Sequence, residues 1–125
     1  MPLAIELTNG SGAAVDAEAA RTLAAEVLAA EGIRDGELGI AYVRREEIRR
    51  LKREQLGIDQ VTDVLSFPID RRDDLPPGVP RQLGDVVVCP QVVGEEWQVP
   101  LVHAVLHLVG YEHGDEMRER EALHR

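Results

Sequence analysis

The sequence has almost no cysteine and no long hydrophobic run, and both absences narrow the class of protein. Cys89 is the only cysteine among the 125 residues, so no disulfide can form within the chain and a reducing compartment is expected. No apolar stretch approaches the roughly 20 residues that a membrane-spanning helix needs. The N-terminus also lacks the basic and apolar regions of a signal peptide. We therefore expect a cytoplasmic protein without a membrane partner.

The chain has few basic residues and an excess of acidic ones, 14 against 23, which gives a net charge of −9. This balance argues against loose attachment to nucleic acid over the whole surface. Several of the basic residues are nevertheless concentrated in one short segment, at Arg44, Arg45, Arg49, Arg50, Lys52 and Arg53. The segment is either a cationic stripe that guides a phosphate backbone or a solvated helix face in which glutamates alternate with the cations.

The pattern of apolar residues predicts strands that alternate with helices in one domain over residues 1–125. Strands are predicted at 3–7, 38–43, 64–67 and 85–89, helices from Asp16 to about 30 and over 45–56, 100–109 and 115–124, and a loop over 70–82. The short spacing favours a small α/β sandwich. In this fold, helices, one of which carries histidines, cover a mixed sheet of about four strands.

Glycines mark the expected ends of the helices, since Gly32 and Gly57 each follow a last apolar position. The spacing of apolar residues within the second and last helices predicts a set of buried positions: Ile48, Leu51, Leu56, Met117 and Leu123. His124 lies apart from the other histidines, and we expect it to be exposed to solvent.

Three histidines lie close together in the C-terminal part of the chain, at His103, His107 and His113. The first two are four residues apart, so on a helix they project from one face. Gly110 can end that helix in the left-handed conformation and bring the third histidine beside the pair. Three imidazoles without a fourth protein ligand predict one zinc ion per chain, with an open position for water. Nickel or another divalent ion also suits three imidazoles.

A zinc ion held in this way is typical of hydrolases, because it lowers the pKa of bound water to about 7. The spacing His-x3-His-x2-Gly-x2-His is that of the metzincin proteases, where a glutamate directly after the first histidine is the general base. Ala104 has that position here and cannot accept a proton. A zinc peptidase or amidase is therefore a disfavoured alternative. No other side chain in the sequence is an evident general base.

The run from His103 to His113 resembles the H-G-x-L-H-L-x-G-Y-D-H signature of the YbeY family of bacterial endoribonucleases. Residues 62–68, T-D-V-L-S-F-P, are similar to the family's T-[DN]-V-L-S-F-P run. Residues 83–89, which begin L-G-D, are similar to its L-G-D-hydrophobic strand. Three motifs in the same order over residues 51–113 make the resemblance specific.

The resemblance implies a zinc-dependent endoribonuclease directed to single-stranded RNA, in which metal-bound hydroxide attacks the phosphodiester. It also implies a role in 16S rRNA maturation and ribosome quality control, with the small ribosomal subunit as partner. The three histidines match the family's metal ligands, and the segments of Asp63, Ser66 and Asp85 are expected to line or brace the cleft. Asp85 either accepts a hydrogen bond from a zinc-bound imidazole or caps local backbone at a strand end.

The sequence departs from the family where members commonly read Y-R-G-K-D before the T-D-V run. The aligned residues 55–59 read Q-L-G-I-D, so Leu56 replaces an arginine that is implicated in activity. Arg49 or Arg53, earlier on the same predicted helix, would then bind the substrate phosphate together with Ser66. Otherwise the chain is a weakly catalytic or non-catalytic ribosome-associated zinc protein. Its oligomeric state stays open.

Overall fold

The computed structural model describes residues 3–124, so residues 1, 2 and 125 of the predicted domain lie outside it. The elements in chain order are β1 (Leu3–Asn9), α1 (Ala17–Ala30), β2 (Gly36–Tyr42), α2 (Arg45–Leu56), β3 (Val64–Pro68), β4 (Gln82–Val88), α3 (Pro90–Val93), α4 (Gln98–Leu108) and α5 (Asp115–Ala122). A short 3-10 turn, Gly94–Glu96, links α3 to α4. The predicted small α/β fold with a histidine-bearing helix is confirmed.

The four strands form one mixed sheet in the order β1-β2-β4-β3. The first three strands of that order run parallel, while β3 is antiparallel to β4 and lies at the edge. Pro68 ends β3, where the missing N–H of proline is tolerated because the strand is at the edge. The predicted mixed sheet of about four strands is therefore confirmed.

The two faces of the sheet are covered by different helices. On one face, α1 and α4 pack on β2 and β4 in the main core, to which Met117 of α5 also belongs. On the other face, Ile48 of α2 packs on a smaller cluster with Leu65 and Val87. Side chains alternate along a strand, so Ser66 points away from α2. The histidine-bearing helix and the arginine-rich helix thus lie on opposite faces of the sheet.

β4 begins at Gln82, three residues before the predicted strand over 85–89, ends one residue earlier than predicted, and contains a bulge near its start. Gln82 pairs with Glu37 and Gly84 pairs with Leu38, so Leu83 is an extra residue in β4. Gly84 has a φ of 126°, which favours glycine. The bulge interrupts the alternation of buried and exposed residues from which strands are predicted. The loop predicted over 70–82 ends at residue 81, because Gln82 already belongs to β4.

The helix ends follow the predicted capping residues. The Asp16 carboxylate accepts a hydrogen bond of 3.0 Å from the Ala19 N–H at the start of α1, and Gly57 ends α2 with a φ of 73°. The longest helix between residues 3 and 124 is α1, with 14 residues. None of the helices in that range has the length and hydrophobicity needed to cross a bilayer.

Two of the predicted buried positions are wrong. Ile48 and Met117 are buried as expected, and Leu51 is partly buried. Leu56 is 55% exposed and Leu123 is 64% exposed, because each lies at the end of its helix, outside both buried clusters. The prediction for His124 is also wrong, since this residue is half-buried and its Nε2 atom is inaccessible to solvent.

We expect Ile48→Ala to lower the free energy of unfolding by about 2–4 kcal/mol, because it leaves a cavity in a fully buried site. The matched substitution Leu56→Ala on the same helix should change it by less than about 0.5 kcal/mol. Urea unfolding followed by circular dichroism measures both. An equally large loss at Leu56 would contradict the exposed position of that side chain.

Candidate metal centre and its cleft

Helix α4 presents two histidines from an otherwise buried surface. Its buried residues are Leu101, Val102, Ala104, Val105, Leu106 and Leu108, whereas His103 and His107 are partly exposed on one stripe. Because the rest of the helix is fixed in the main core, the two imidazoles are held in place without a ligand. Such rigid support is what a binding site requires of its scaffold.

The turn after α4 is a Schellman motif, which satisfies the last carbonyls of the helix. The Gly110 N–H donates to the His107 carbonyl at 3.0 Å, and the Tyr111 N–H donates to the Leu106 carbonyl at 3.2 Å. Gly110 has a φ of 105°, a value that favours glycine. The turn directs the chain back along the helix, and His113 reaches the other two histidines as its spacing predicted.

The three imidazoles converge at distances that suit a metal ion. The ring centroid of His113 lies 4.9 Å from that of His103 and 4.7 Å from that of His107. One ligand atom from each ring lies within 4.8 Å of the other two. The Nε2 atoms of the two helical histidines are 3.1 Å apart, close to the roughly 3.3 Å between two nitrogens bound tetrahedrally to one zinc. The residues present therefore fit a divalent metal ion.

The remaining nitrogens of the helical histidines lie near oxygen atoms of neighbouring residues. His107 Nδ1 donates to the Tyr111 carbonyl at 2.8 Å, which leaves the lone pair on Nε2 for a metal. His103 Nδ1 lies 3.4 Å from a carboxylate oxygen of Glu121 in α5. A carbonyl and a carboxylate are the usual partners of metal-bound imidazoles, since they fix the tautomer and orient the ring.

The environment of His107 favours the neutral imidazole that a metal requires. Burial lowers the pKa of His107 below its ordinary value, and the neighbouring His103 and His113 lower this pKa further. The hydrogen bond to the Tyr111 carbonyl acts in the opposite direction and does not outweigh burial. Metal binding at neutral pH therefore does not have to displace a proton from this ring.

The structure does not bring Asp85 to the histidines. Asp85 is exposed on β4, and its carboxylate lies against Gly39 of β2. Leu38 and Ile40 of β2 point into the main core beneath α4, so Gly39 and Asp85 belong to the opposite face of the sheet. Tyr111 and Glu121, and not Asp85, lie beside the outer nitrogens of the imidazoles.

Two adjoining clefts open beside the histidines. The small cleft, of about 190 Å³, is lined by Ser66, Pro68, Arg71, His107, Gly110, Tyr111 and Glu112. The large cleft, of about 620 Å³, extends from the same turn along 109–116 and includes Arg71, Arg72 and His113. Ser66 is thus beside the candidate metal site, whereas both arginines were missed because their loop has no periodic pattern.

Arg49 and Arg53 line neither of these clefts. Both are exposed on α2 and pair with Asp59, at 2.7 Å and 3.7 Å between nitrogen and oxygen. Arg50 pairs with Glu47 and Glu54 on the same helix. These ion pairs support the interpretation of the cationic segment as a solvated helix face.

A buried carboxylate supports the residues around both clefts. The Glu31 side chain, at the end of α1, is 1% exposed and accepts hydrogen bonds from the Tyr111 hydroxyl at 2.7 Å, Arg72 at 2.9 Å and Arg120 at 2.7 Å. Burial alone would raise the pKa of Glu31, but these hydrogen bonds and the two positive charges outweigh it, so the pKa lies below its ordinary 4.5. The sequence did not identify Glu31 as a residue of the site. Its only signal there is an acidic side chain directly after the last apolar residues of a predicted helix.

We expect Glu31→Gln to lower the free energy of unfolding by about 2 kcal/mol at neutral pH, a value reduced because both arginines are partly exposed. The pKa of Glu31 is lower in the folded chain than in the unfolded chain, where it is near 4.5, so the carboxylate stabilises the fold at pH values above 4.5. This stabilisation is lost as the pH falls through the folded pKa. The difference between wild type and variant should therefore shrink below that pH in thermal unfolding. Glu26→Gln, an exposed site on the same helix, is the control, and an identical pH profile for both variants would exclude this role.

We expect Glu121→Ala to weaken metal binding about tenfold, because the imidazole of His103 loses the carboxylate that orients it. Glu119→Ala removes the same charge from an exposed position on α5 and should bind metal like wild type. Zinc competition against a chromophoric chelator measures both affinities. Equal affinities for the two variants would show that Glu121 does not support the ligand.

Comparison with known proteins agrees with this geometry and with the three sequence motifs. Residues 6–125 match the family model described as Endoribonuclease YbeY. A protein of that name from Salinispora tropica is 35% identical over 95% of this chain and 88% of its own length. Another from Halorhodospira halophila is 39% identical over 92% of this chain and 80% of its own. The solution structure of a Thermotoga maritima protein matches with a TM-score of 0.63 and 26% identity, over 96% of this chain and 85% of that one. The resemblance is confirmed, and the chain belongs to the YbeY family of endoribonucleases.

Proposed function

We propose that residues 1–125 act as one zinc-dependent hydrolase domain that cleaves single-stranded RNA in the clefts beside the histidines. The observation that carries this proposal is the convergence of three imidazoles, with two Nε2 atoms 3.1 Å apart, next to open clefts. The family supports RNA as the substrate, since the matched relatives bear the name Endoribonuclease YbeY.

The residues of the clefts have chemical roles that suit phosphodiester cleavage. Zinc held by the three histidines would polarise a phosphoryl oxygen and activate water at neutral pH. The Ser66 hydroxyl, in the small cleft, can donate a hydrogen bond to a phosphate oxygen. Glu112 contributes a carboxylate to both clefts, from which it can accept or return a proton.

The proposed substrate within the cell is 16S rRNA, in maturation and quality control of the small ribosomal subunit in the cytoplasm. The similarity of the three motifs to the YbeY family supports this substrate. A single buried cysteine suits a reducing compartment. The net charge of −9 indicates that RNA contacts the protein locally rather than over its whole surface.

A second candidate is a ribosome-associated zinc protein that binds RNA and cuts it weakly or not at all. Leu56 is exposed where the family resemblance predicts an arginine, and Arg49 and Arg53 pair with Asp59 instead of lining the clefts. A peptidase is disfavoured by Ala104, which is buried and has no group that accepts a proton.

We expect purified protein to contain one zinc per chain by elemental analysis and to cleave a single-stranded RNA from 16S rRNA. A chelator or His107→Ala should reduce the cleavage rate at least about 100-fold, because both remove the proposed source of activated water. His124→Ala, which changes the histidine outside the cluster, should retain both the zinc and the rate. Its melting temperature must be measured alongside, since His124 is half-buried.

Equal cleavage by wild type and His107→Ala would point to a contaminating nuclease and contradict the proposal. Tight binding of ribosomal subunits by zinc-loaded wild type, without cleavage, would instead favour the second candidate. Nickel or another divalent ion in place of zinc would support the three histidines as ligands and contradict the assignment of zinc.

A further inference from the structure

We propose that Arg71 is the phosphate-binding residue of the site and holds the RNA backbone beside the metal ligands. This inference rests on the proposed function and names the side chain that positions the substrate. Three observations support it: Arg71 lines both clefts, its charge is unpaired, and hydrogen bonds hold the turn in which it lies.

Arg71 lines both clefts, which places it between the two parts of the candidate site. In the small cleft it lies with Ser66 and His107, one of the metal ligands. The volume of about 190 Å³ is below the roughly 300 Å³ at which whole small-molecule pockets begin. The small cleft thus suits one phosphodiester group, while the sugar and base extend into the larger cleft beside it.

The guanidinium of Arg71 is available for a substrate. Over residues 3–124 it makes no hydrogen bond and no ion pair, whereas the other cleft arginine, Arg72, donates to Glu31 at 2.9 Å. Of the alternative phosphate ligands on α2, Arg49 donates a hydrogen bond to Asp59, and Arg53 forms a longer ion pair with the same carboxylate. A planar guanidinium with free donors is the group best suited to bind two oxygens of one phosphate.

Hydrogen bonds hold the backbone around Arg71, whereas its guanidinium has no hydrogen bond within residues 3–124. The residue has a φ of 50°, an unusual conformation for a side chain other than glycine. Arg81 donates to the Arg71 carbonyl at 2.7 Å, and Asp70 and Gln82 exchange hydrogen bonds of 2.9 Å and 2.7 Å just before the turn. Strained residues persist where their surroundings over-determine them, and they cluster at functional sites.

Within residues 3–124, Arg71 is the one arginine lining the clefts that has no carboxylate partner. Glu112 lines both clefts, and Asp73, Asp115 and Glu116 line the larger one. The charge of Arg72 is already compensated by buried Glu31. Arg71 is therefore the protein side chain of the clefts that can attract phosphate, beside the positive charge that a metal ion held by the histidines would add.

The test uses zinc-loaded protein and a short fluorescent RNA with 2′-O-methyl riboses, which keeps every phosphate and is checked on a gel for integrity. Arg71→Asn should raise the dissociation constant about three- to tenfold. It should also reduce the slope of log affinity against log salt by about 0.7, the loss of one phosphate contact. Asparagine tolerates the left-handed conformation, so the melting temperature should not fall. Arg71→Lys keeps the charge but not the planar fork and should bind between the two.

Arg34→Asn, an exposed arginine outside both clefts, is the matched control and should bind like wild type. Equal affinity and salt slope for Arg71→Asn and this control would overturn the assignment. So would a loss of binding in Arg49→Gln and Arg53→Gln but not in Arg71→Asn. Because the gel restricts the measurement to intact RNA, weaker binding by Arg71→Asn would support the assignment even if wild type proved unable to cut RNA.

Discussion

The hydrogen bonds of one buried carboxylate hold together the parts of the chain that surround the candidate metal centre. Glu31 follows α1, and its three partners come from the loop between β3 and β4, the turn after α4 and helix α5. A negative charge at a helix C-terminus is repelled by the negative end of the helix dipole, and burying that charge costs further free energy. Two arginines and a tyrosine hydroxyl compensate both. The same contacts fix Tyr111, whose carbonyl orients His107, so fold and ligand geometry depend on one cluster.

The distribution of charge explains why a basic segment is not sufficient to identify a nucleic-acid site. On α2, Arg49, Arg50 and Arg53 are paired with carboxylates of the same helix or of Asp59. At the cleft, by contrast, a single arginine remains without a carboxylate partner among residues 3–124, although the protein as a whole is acidic. What matters for phosphate is the local balance of paired and unpaired groups, which composition does not show.

The convergence of the three histidines could be predicted from the sequence because its geometry is local. The i, i+4 spacing and Gly110 determine the arrangement through one helix and one turn. The carboxylate beside His103 could not be predicted in the same way, since Glu121 reaches that imidazole only through the packing of α5 against α4. Asp85 belongs to a matching motif but lies on the other face of the sheet. Leu56 follows the apolar period of α2, yet its helix extends past the cluster that would bury it.

The local origin of the three histidines has a consequence for how much a bound metal ion can stabilise the fold. Only five residues separate His107 from His113, and closing so short a loop has a small entropic cost. If these histidines hold a metal ion, the unfolded chain keeps part of its affinity for that ion. Because metal that also binds the unfolded chain stabilises the fold less, a bound ion should contribute less to folding here than in proteins whose ligands come from distant segments.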